Sequence, residues 1–181
     1  MEKLLKVLGG LLAALGVLYS LGFGIPGQVH VERQMVIEAQ PAEVFAYIGD
    51  FRAWQRWSPW ATMDPKVAMT LSGQGVGQTM VWDSDNANVG HGSQEVTEFE
   101  APRHMATHLE FAGQGFAEAS FDLIPERGYT RVIWSLDTDV SGGTAPPLKP
   151  ITNYLGLLVK SMIGQQYETG LLSLKTLVER G

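Results

Sequence analysis

Two pairs of polar side chains have the spacing that general acid–base chemistry needs. His91 and Glu95 stand four residues apart in a segment of strand character, so both side chains would lie on one face of a strand. A histidine beside a carboxylate can act as a general base with its orienting partner. These two are therefore the catalytic candidates, although a solvent-facing polar edge explains the spacing equally well. His104 and His108 repeat the spacing, and neither pair has a third ligand nearby, so no metal site is predicted.

Large aromatic residues form the second group that could bind a ligand. Trp54, Trp57 and Trp60 follow one another at three-residue spacing. An indole offers a broad apolar face and one hydrogen-bond donor, which suits a flat or lipid-like ligand, but the same residues could simply pack short helices onto a sheet. Residues of the later strands and hydroxyls of the last helix complete the predicted ligand-binding set: Met80, Trp82, Phe111, Phe116, Phe121, Trp134, Tyr154 and Tyr167.

Composition and charge exclude several classes of function. The 181 residues have a net charge of -6 and only scattered basic residues, which argues against a nucleic-acid partner. The chain contains no cysteine, which excludes disulfides, cysteine-ligated zinc and thiol catalysis. The glycine-rich segment at residues 72–77 lacks the Gly-Lys-Ser/Thr ending of a phosphate-binding loop and predicts a hairpin turn instead. No cofactor is predicted.

The N-terminal segment predicts a helix in a membrane. Residues 7–25 carry no charge, and this length is near the lower limit for a spanning helix. Lys3 and Lys6 precede the segment and favour a cytoplasmic N-terminus. We therefore expect a single pass through the inner (cytoplasmic) membrane, with the following domain on the extracytoplasmic side, which is the periplasm in a Gram-negative cell.

Two other interpretations of this segment stay open. A cleaved signal peptide has the same charged start, and residues 20–22 resemble a cleavage site; a buried core helix is the third possibility. Gly16, Ser20 and Gly24 share one helical face, as in small-residue pairing motifs, so weak self-association through the anchor is a minor hypothesis. The predicted division is residues 1–27 as anchor or signal and 28–181 as the folded domain.

The hydrophobic pattern after residue 27 predicts an α+β domain. A first strand at residues 28–38 is followed by two short helices, about six strands joined by short turns, and a long C-terminal helix at 151–179. Short connections imply an antiparallel sheet. The long helix is the element that can cover the inner face of such a sheet. A curved sheet gripping one helix leaves space between them, which predicts a cavity.

Four stretches of the sequence carry a resemblance to a known family: Ile37-x3-Pro41-Ala42-Glu43-Val44-Phe45-x2-Ile48, Trp54-x2-Trp57-Ser58-Pro59-Trp60 with Asp64-Pro65, Gly73-x3-Gly77 before Trp82, and, in the last helix, Tyr154-x-Gly156-Leu157 with Ile163-Gly164-x2-Tyr167-Glu168-x-Gly170-Leu171-x2-Leu174-Lys175. The resemblance is to the SRPBCC or START-like superfamily, in its polyketide cyclase/dehydrase-like branch. It covers residues 28–180 and implies a helix-grip fold, with a curved antiparallel sheet of six or seven strands around a ligand cavity. Because members include lipid carriers, quinone-binding proteins and cyclases, the fold alone does not define the chemistry.

Three functions follow from these expectations. The first is a membrane-anchored binding protein that holds a small apolar or amphipathic ligand, lipid- or quinone-like, in a pocket of at least about 300 Å³. The second is a cyclase, dehydratase or hydrolase with an ionisable side chain of perturbed pKa in the cavity. The third is a scaffold with a filled interior and an exposed apolar patch.

Overall fold

The structure is a computed structural model that describes residues 1–113 and 115–180. It contains five α-helices and seven strands in these residues. The helices are α1 Glu2–Gly22, α2 Pro41–Ile48, α3 Phe51–Trp54, α4 Pro59–Met63 and α5 Lys149–Arg180. The strands are β1 Gln28–Ile37, β2 Ala68–Ser72, β3 Thr79–Asp83, β4 His91–Glu100, β5 His104–Phe111, β6 Gly115–Glu126 and β7 Tyr129–Asp139.

All seven strands form one curved antiparallel sheet, in the order β1-β7-β6-β5-β4-β3-β2. Strands β2 to β7 pair with their sequence neighbours through short turns, while β1 closes the sheet beside β7. Alternate residues of the strands face the inner side of the sheet, and β1, which packs on α5, shows this with buried Val29, Val31 and Ile37. The predicted helix-grip architecture is confirmed.

Three short helices, rather than the two expected, connect β1 to β2. Gln40 and Glu43 form a reciprocal capping box at the start of α2. Asp50 caps α3 by accepting a 2.9 Å hydrogen bond from the Arg52 amide. The third helix arises because Pro59 fills the first helical position of α4, where its missing N–H leaves no bond unmade.

Helix α5 runs unbroken for 32 residues, through several glycines. These glycines allow close approach to the sheet. A Cβ at Gly156 would lie 2.9 Å from a Val140 methyl group, and one at Gly170 would lie 2.9 Å from the Trp134 ring. A larger side chain at either position would push the helix away from the sheet, so packing explains these glycines.

Helix α1 lies outside the core and contacts the beginning of α5 and the turn just before it. Its apolar side chains are exposed, and Gly22 is its buried residue. Tyr154 of α5 donates a 2.8 Å hydrogen bond to the Leu18 carbonyl, and Asn153 donates one of 3.0 Å to the Gly22 carbonyl. By length and composition α1 could cross a membrane, a property that N-terminal signal sequences share. The exposure of its side chains excludes the core-helix interpretation.

Candidate functional site

A cavity of about 100 Å³ lies between α5, α4 and the inner face of the sheet. Its walls are almost wholly apolar. The lining residues are Trp54, Ser58, Trp60, Ala61, Val67, Met69, Met80, Trp82, Val89, Gln94, Leu109, Phe111, Ala119, Trp134, Leu136, Ile163 and Tyr167. Seven of the sequence-predicted binding residues are among them, and they come from six different helices and strands.

Trp134 is the centre of the aromatic wall. Its ring stacks on Tyr167 of α5, with centroids 3.7 Å apart and planes 11° from parallel. Trp54 and Trp60 approach the same ring edge-on, at centroid distances of 6.3 and 5.9 Å. Such arrangements add stabilisation beyond the buried area. The wall joins β7, α3, α4 and α5 and is therefore the most constrained side of the cavity.

Gln94 supplies a polar group to this apolar surface. Its side chain is buried, and its Nε2 donates a 2.9 Å hydrogen bond to Oγ1 of Thr107. The Thr107 hydroxyl donates its own proton to the Ala119 carbonyl at 3.3 Å, so it must accept from Gln94. This chain of bonds fixes the amide orientation and leaves Oε1 as the acceptor of the Gln94 side chain.

Ser58 and Tyr167 are the other polar residues of the lining. Burial raises the pKa of the Tyr167 hydroxyl far above its usual range, so this group stays protonated and can donate a hydrogen bond. Among the described residues, the lining contains no Asp, Glu, His, Lys or Arg. The cavity therefore offers hydrogen bonds but no charged group at neutral pH.

The cavity is smaller than the pocket of about 300 Å³ that the sequence led us to expect. At about 100 Å³ it approaches the size of apolar voids that hold one benzene ring. The half-buried lining residues lie on α4, on and just before β2, before β4, on β5 and on α5: Trp60, Ala61, Val67, Met69, Val89, Leu109, Phe111 and Ile163. We call these residues the rim. Admission of a longer ligand requires movement of the rim, and the flexible Met69 and Met80 side chains are suited to it.

Four members of the predicted binding set lie away from the cavity. Trp57 and Phe121 are buried behind its wall, where Trp57 donates a 2.9 Å hydrogen bond to the Tyr47 carbonyl. Phe116 is exposed on the outer face of the sheet and stacks on His108. Tyr154 faces α1. The structure thus divides the predicted set into cavity wall, supporting core and outer surface.

The candidate catalytic pair lies on the outer face of β4. His91 and Glu95 are both exposed, and His91 bonds through Nδ1 to Asp83 of the neighbouring strand. Glu95 stands opposite Thr79 on one side and His108 on the other. The two side chains face solvent, with the sheet between them and the cavity.

Sequence reasoning missed ten lining residues: Ser58, Ala61, Val67, Met69, Val89, Gln94, Leu109, Ala119, Leu136 and Ile163. One signal could have revealed Gln94. Gln94 and Val96 are two residues apart in one strand, so their side chains face the same side of the sheet. An inward-facing Val96 therefore implies an inward-facing Gln94 side chain. The small and aliphatic residues carried no such signal, since core and cavity wall use the same residue types.

The sequence matches the family model described as "Polyketide cyclase / dehydrase and lipid transport" over residues 28–179. The chain belongs to this family. The resemblance inferred from the residues is therefore confirmed, and the matched region is the domain that surrounds the cavity. Membership implies a ligand-binding domain of SRPBCC type for a small hydrophobic ligand. A comparison with curated proteins finds no match.

Solved structures share the fold at low sequence identity. The Aha1 dimer from Colwellia psychrerythraea is 18% identical with a TM-score of 0.56, and the alignment covers 83% of this chain and 96% of that one. A protein of unknown function from Staphylococcus aureus, SA2116, is 9% identical with a TM-score of 0.65, covering 84% and 94%. A protein from Thermobifida fusca is 20% identical with a TM-score of 0.61, covering 83% and 93%. These similarities support the fold, and the class of ligand is inferred from the cavity.

Proposed function

We propose that this protein is a membrane-anchored binding protein that holds an apolar ligand with one polar end, lipid- or quinone-like, in the cavity behind α4. The observation that carries the proposal is the buried Gln94 amide, which lines a mainly apolar cavity and whose Nε2 is already bonded to Thr107. Pockets of this kind use apolar walls for affinity and a few fixed polar groups for orientation. The preferred ligand carries a hydroxyl or another donor that bonds to Oε1 of Gln94.

The size of the cavity limits which part of the ligand it encloses. A space of about 100 Å³ is smaller than the apolar void of about 150 Å³ that holds a benzene ring, so it encloses a short chain end as it stands and a single ring once the rim moves outward. A quinol ring fits this description, because one hydroxyl can donate to Gln94 while another oxygen accepts from Tyr167. A longer tail would then leave through the rim.

The uncharged lining favours binding over catalysis. A cyclase, dehydratase or hydrolase of the predicted kind needs an acid or base beside the substrate. Among the described residues, the polar members of the lining are Ser58, Gln94 and Tyr167, and the protonated tyrosine is the ionisable group among them. Carrying or sequestering a ligand requires none of this chemistry.

Anchoring by α1 would place the cavity beside the bilayer. We propose a single-pass arrangement in the cytoplasmic membrane, with residues 28–181 as an extracytoplasmic ligand-binding domain. Lys3 and Lys6 before the apolar segment support this orientation. Lipids and quinones are abundant in that location, which agrees with the apolar cavity.

Native mass spectrometry of the full chain in lipid nanodiscs, followed by solvent extraction, tests the proposal. We expect a reproducible extra mass of lipid or quinone size. Titration with phenol and benzene then isolates the polar contact, since these rings differ by one hydroxyl. Gln94→Leu should weaken phenol binding about fivefold, which corresponds to about 1 kcal/mol for one hydrogen bond, and leave benzene binding unchanged.

Ser93→Ala, at the preceding position of the same strand and on its outer face, is the matched control and should bind both rings like the wild type. An empty protein that takes up neither ring, nor any lipid or quinone from a panel, would refute the binding function. Equal losses of phenol and benzene affinity in Gln94→Leu would refute the assigned role of the amide.

A further inference from the structure

Two buried hydroxyl groups in the wall of the cavity have no hydrogen-bond partner among the described residues. Ser58 is 6% exposed and Tyr167 is 1% exposed, and both residues line the cavity. Ser58 immediately precedes α4, yet its side chain does not cap that helix. Within the described part of the chain, the side-chain polar atom that is fully enclosed and unbonded is Oδ1 of Asn153, which is outside the lining. The hydroxyls of Ser58 and Tyr167 are therefore unbonded without being fully enclosed, and the free space that they border is the cavity.

The other buried hydroxyls of the described chain bond within the protein. Ser84 donates a 2.6 Å hydrogen bond to Asp64, and Thr130 donates one of 2.7 Å to the Ala39 carbonyl. The hydroxyl of Thr107 donates to a carbonyl of the neighbouring strand β6. These three residues are not part of the cavity lining. Because a buried polar group without a partner costs free energy, native proteins rarely contain one that has no function. The two unbonded hydroxyls therefore point to a ligand that bonds to them.

The fold brings Ser58 and Tyr167 to the part of the cavity wall where α4 meets α5. A Cβ atom at Gly170, about one helical turn after Tyr167, would lie 3.0 Å from Cδ of Pro59, the residue next to Ser58. The Trp60 ring of α4 packs edge-on against the Tyr167 ring, with centroids 6.2 Å apart. The two hydroxyls thus belong to neighbouring helices in direct contact, so that one polar group of a ligand can bond to both.

We propose that Ser58 and Tyr167 together bind a carbonyl oxygen of the ligand, which is therefore an uncharged ketone, quinone or ester. A carbonyl oxygen has two lone pairs and can accept a hydrogen bond from each hydroxyl. Tyr167 keeps its proton for this bond, because burial raises its pKa far above the usual range. A carboxylate or phosphate does not fit, since the described lining contains no Lys or Arg to balance a buried negative charge. This inference rests on the proposed binding function and adds the chemistry of the polar end of the ligand.

Cyclopentanone and cyclopentane, which differ by one carbonyl oxygen, test the proposal on the full chain in lipid nanodiscs. Tyr167→Phe and Ser58→Ala each remove one hydroxyl. Each variant should weaken cyclopentanone binding about fivefold, which corresponds to about 1 kcal/mol, and leave cyclopentane binding unchanged. Because the hydroxyls are unbonded in the empty protein, both variants should melt at the wild-type temperature or slightly above it. The carbonyl stretch of bound, isotope-labelled cyclopentanone should lie at a lower frequency in the wild type than in either variant, since hydrogen bonding weakens the carbonyl bond.

Thr130→Val is the matched control, because it removes a buried hydroxyl that is bonded and lies outside the lining. This variant should melt below the wild type and bind both probes unchanged. Melting temperatures of Tyr167→Phe and Ser58→Ala as low as that of Thr130→Val would show that these hydroxyls serve the fold, and would overturn the inference. Equal cyclopentanone binding by the wild type and both variants would also overturn it, and would leave the cavity as a site for apolar ligands. Failure of the wild type to bind either probe would contradict both this inference and the proposed function.

Discussion

Filling the cavity from the sheet side should stabilise the protein and abolish ligand binding. Ala119 lies on the inner face of β6, is 5% exposed and lines the cavity. Ala119→Leu adds three carbon atoms that point into the empty space. Two residues earlier on the same face of the same strand, Ala117 is 1% exposed but does not line the cavity. The two alanines therefore form a matched pair that differs in the free volume in front of the Cβ atom.

The expected magnitude follows from the cavity volume. An apolar void lowers the free energy of unfolding by about 24 cal/mol per Å³. The cavity of about 100 Å³ thus corresponds to about 2.4 kcal/mol. Burial of three methylene-sized groups contributes about 0.8 kcal/mol each, which gives a similar total. We expect Ala119→Leu to gain about 1–2 kcal/mol after some loss of side-chain freedom. Ala117→Leu should lose about 1–3 kcal/mol through overpacking.

Thermal unfolding, followed by tryptophan fluorescence in nanodiscs, measures both variants. A change of 1 kcal/mol in the free energy of unfolding moves the thermal midpoint of a protein of this size by about 2–4 °C. Ala119→Leu should therefore melt a few degrees higher than the wild type, and Ala117→Leu should melt a few degrees lower. Phenol binding should disappear in Ala119→Leu and persist in Ala117→Leu. Equal destabilisation of the two variants would show that the space in front of Ala119 is not available and would refute the cavity argument.

Three further predictions concern the rim, pH and the division of the chain. Near the rim, Ser84 donates a 2.6 Å hydrogen bond to Asp64, the residue that follows α4, and this bond is the main cause of the lowered pKa of Asp64. Ser84→Ala should therefore raise the pKa of Asp64, which carboxyl NMR measures. An unchanged pKa would contradict this assignment. The hydrogen bond to Glu118 raises the pKa of His108 in the folded protein above its value of about 6.5 in the unfolded chain. The pair therefore stabilises the fold fully when the pH is below about 6.5, and this stabilisation is lost as the pH rises through the pKa of the folded state. Because the pair is exposed, His108→Gln should remove at most about 1 kcal/mol of unfolding free energy at acidic pH and none at alkaline pH, and an equal loss at both would contradict it. Since the hydrophobic core begins at Val29, the fragment 28–181 should unfold cooperatively near the full-length midpoint, and a molten fragment would refute the division.

The strand pattern predicted the architecture because each strand buries one face. Alternation along a strand also assigns each residue to one of the two faces of the sheet. Phe116 and Phe121 were both predicted to face inward, yet five residues separate them, so a regular strand must place them on opposite faces. The structure shows Phe121 buried and Phe116 exposed. The third short helix escapes prediction for another reason: a proline disfavours helix at the residue before it, so Pro59 indicates the end of one helix, whereas a proline also favours the first turn of the next.

The cavity volume could not be read from the sequence. A void is the small difference between the space enclosed by the sheet and α5 and the volume of the side chains that fill it. Gly170 sets part of that space, because it lets α5 approach Trp134, and Ala119 leaves part of it empty. A leucine in place of Gly170 or Ala119 changes the volume of the void by an amount comparable to the cavity itself. Aromatic strands therefore predict an apolar interior reliably, while the small residues among them determine whether that interior can hold a ligand.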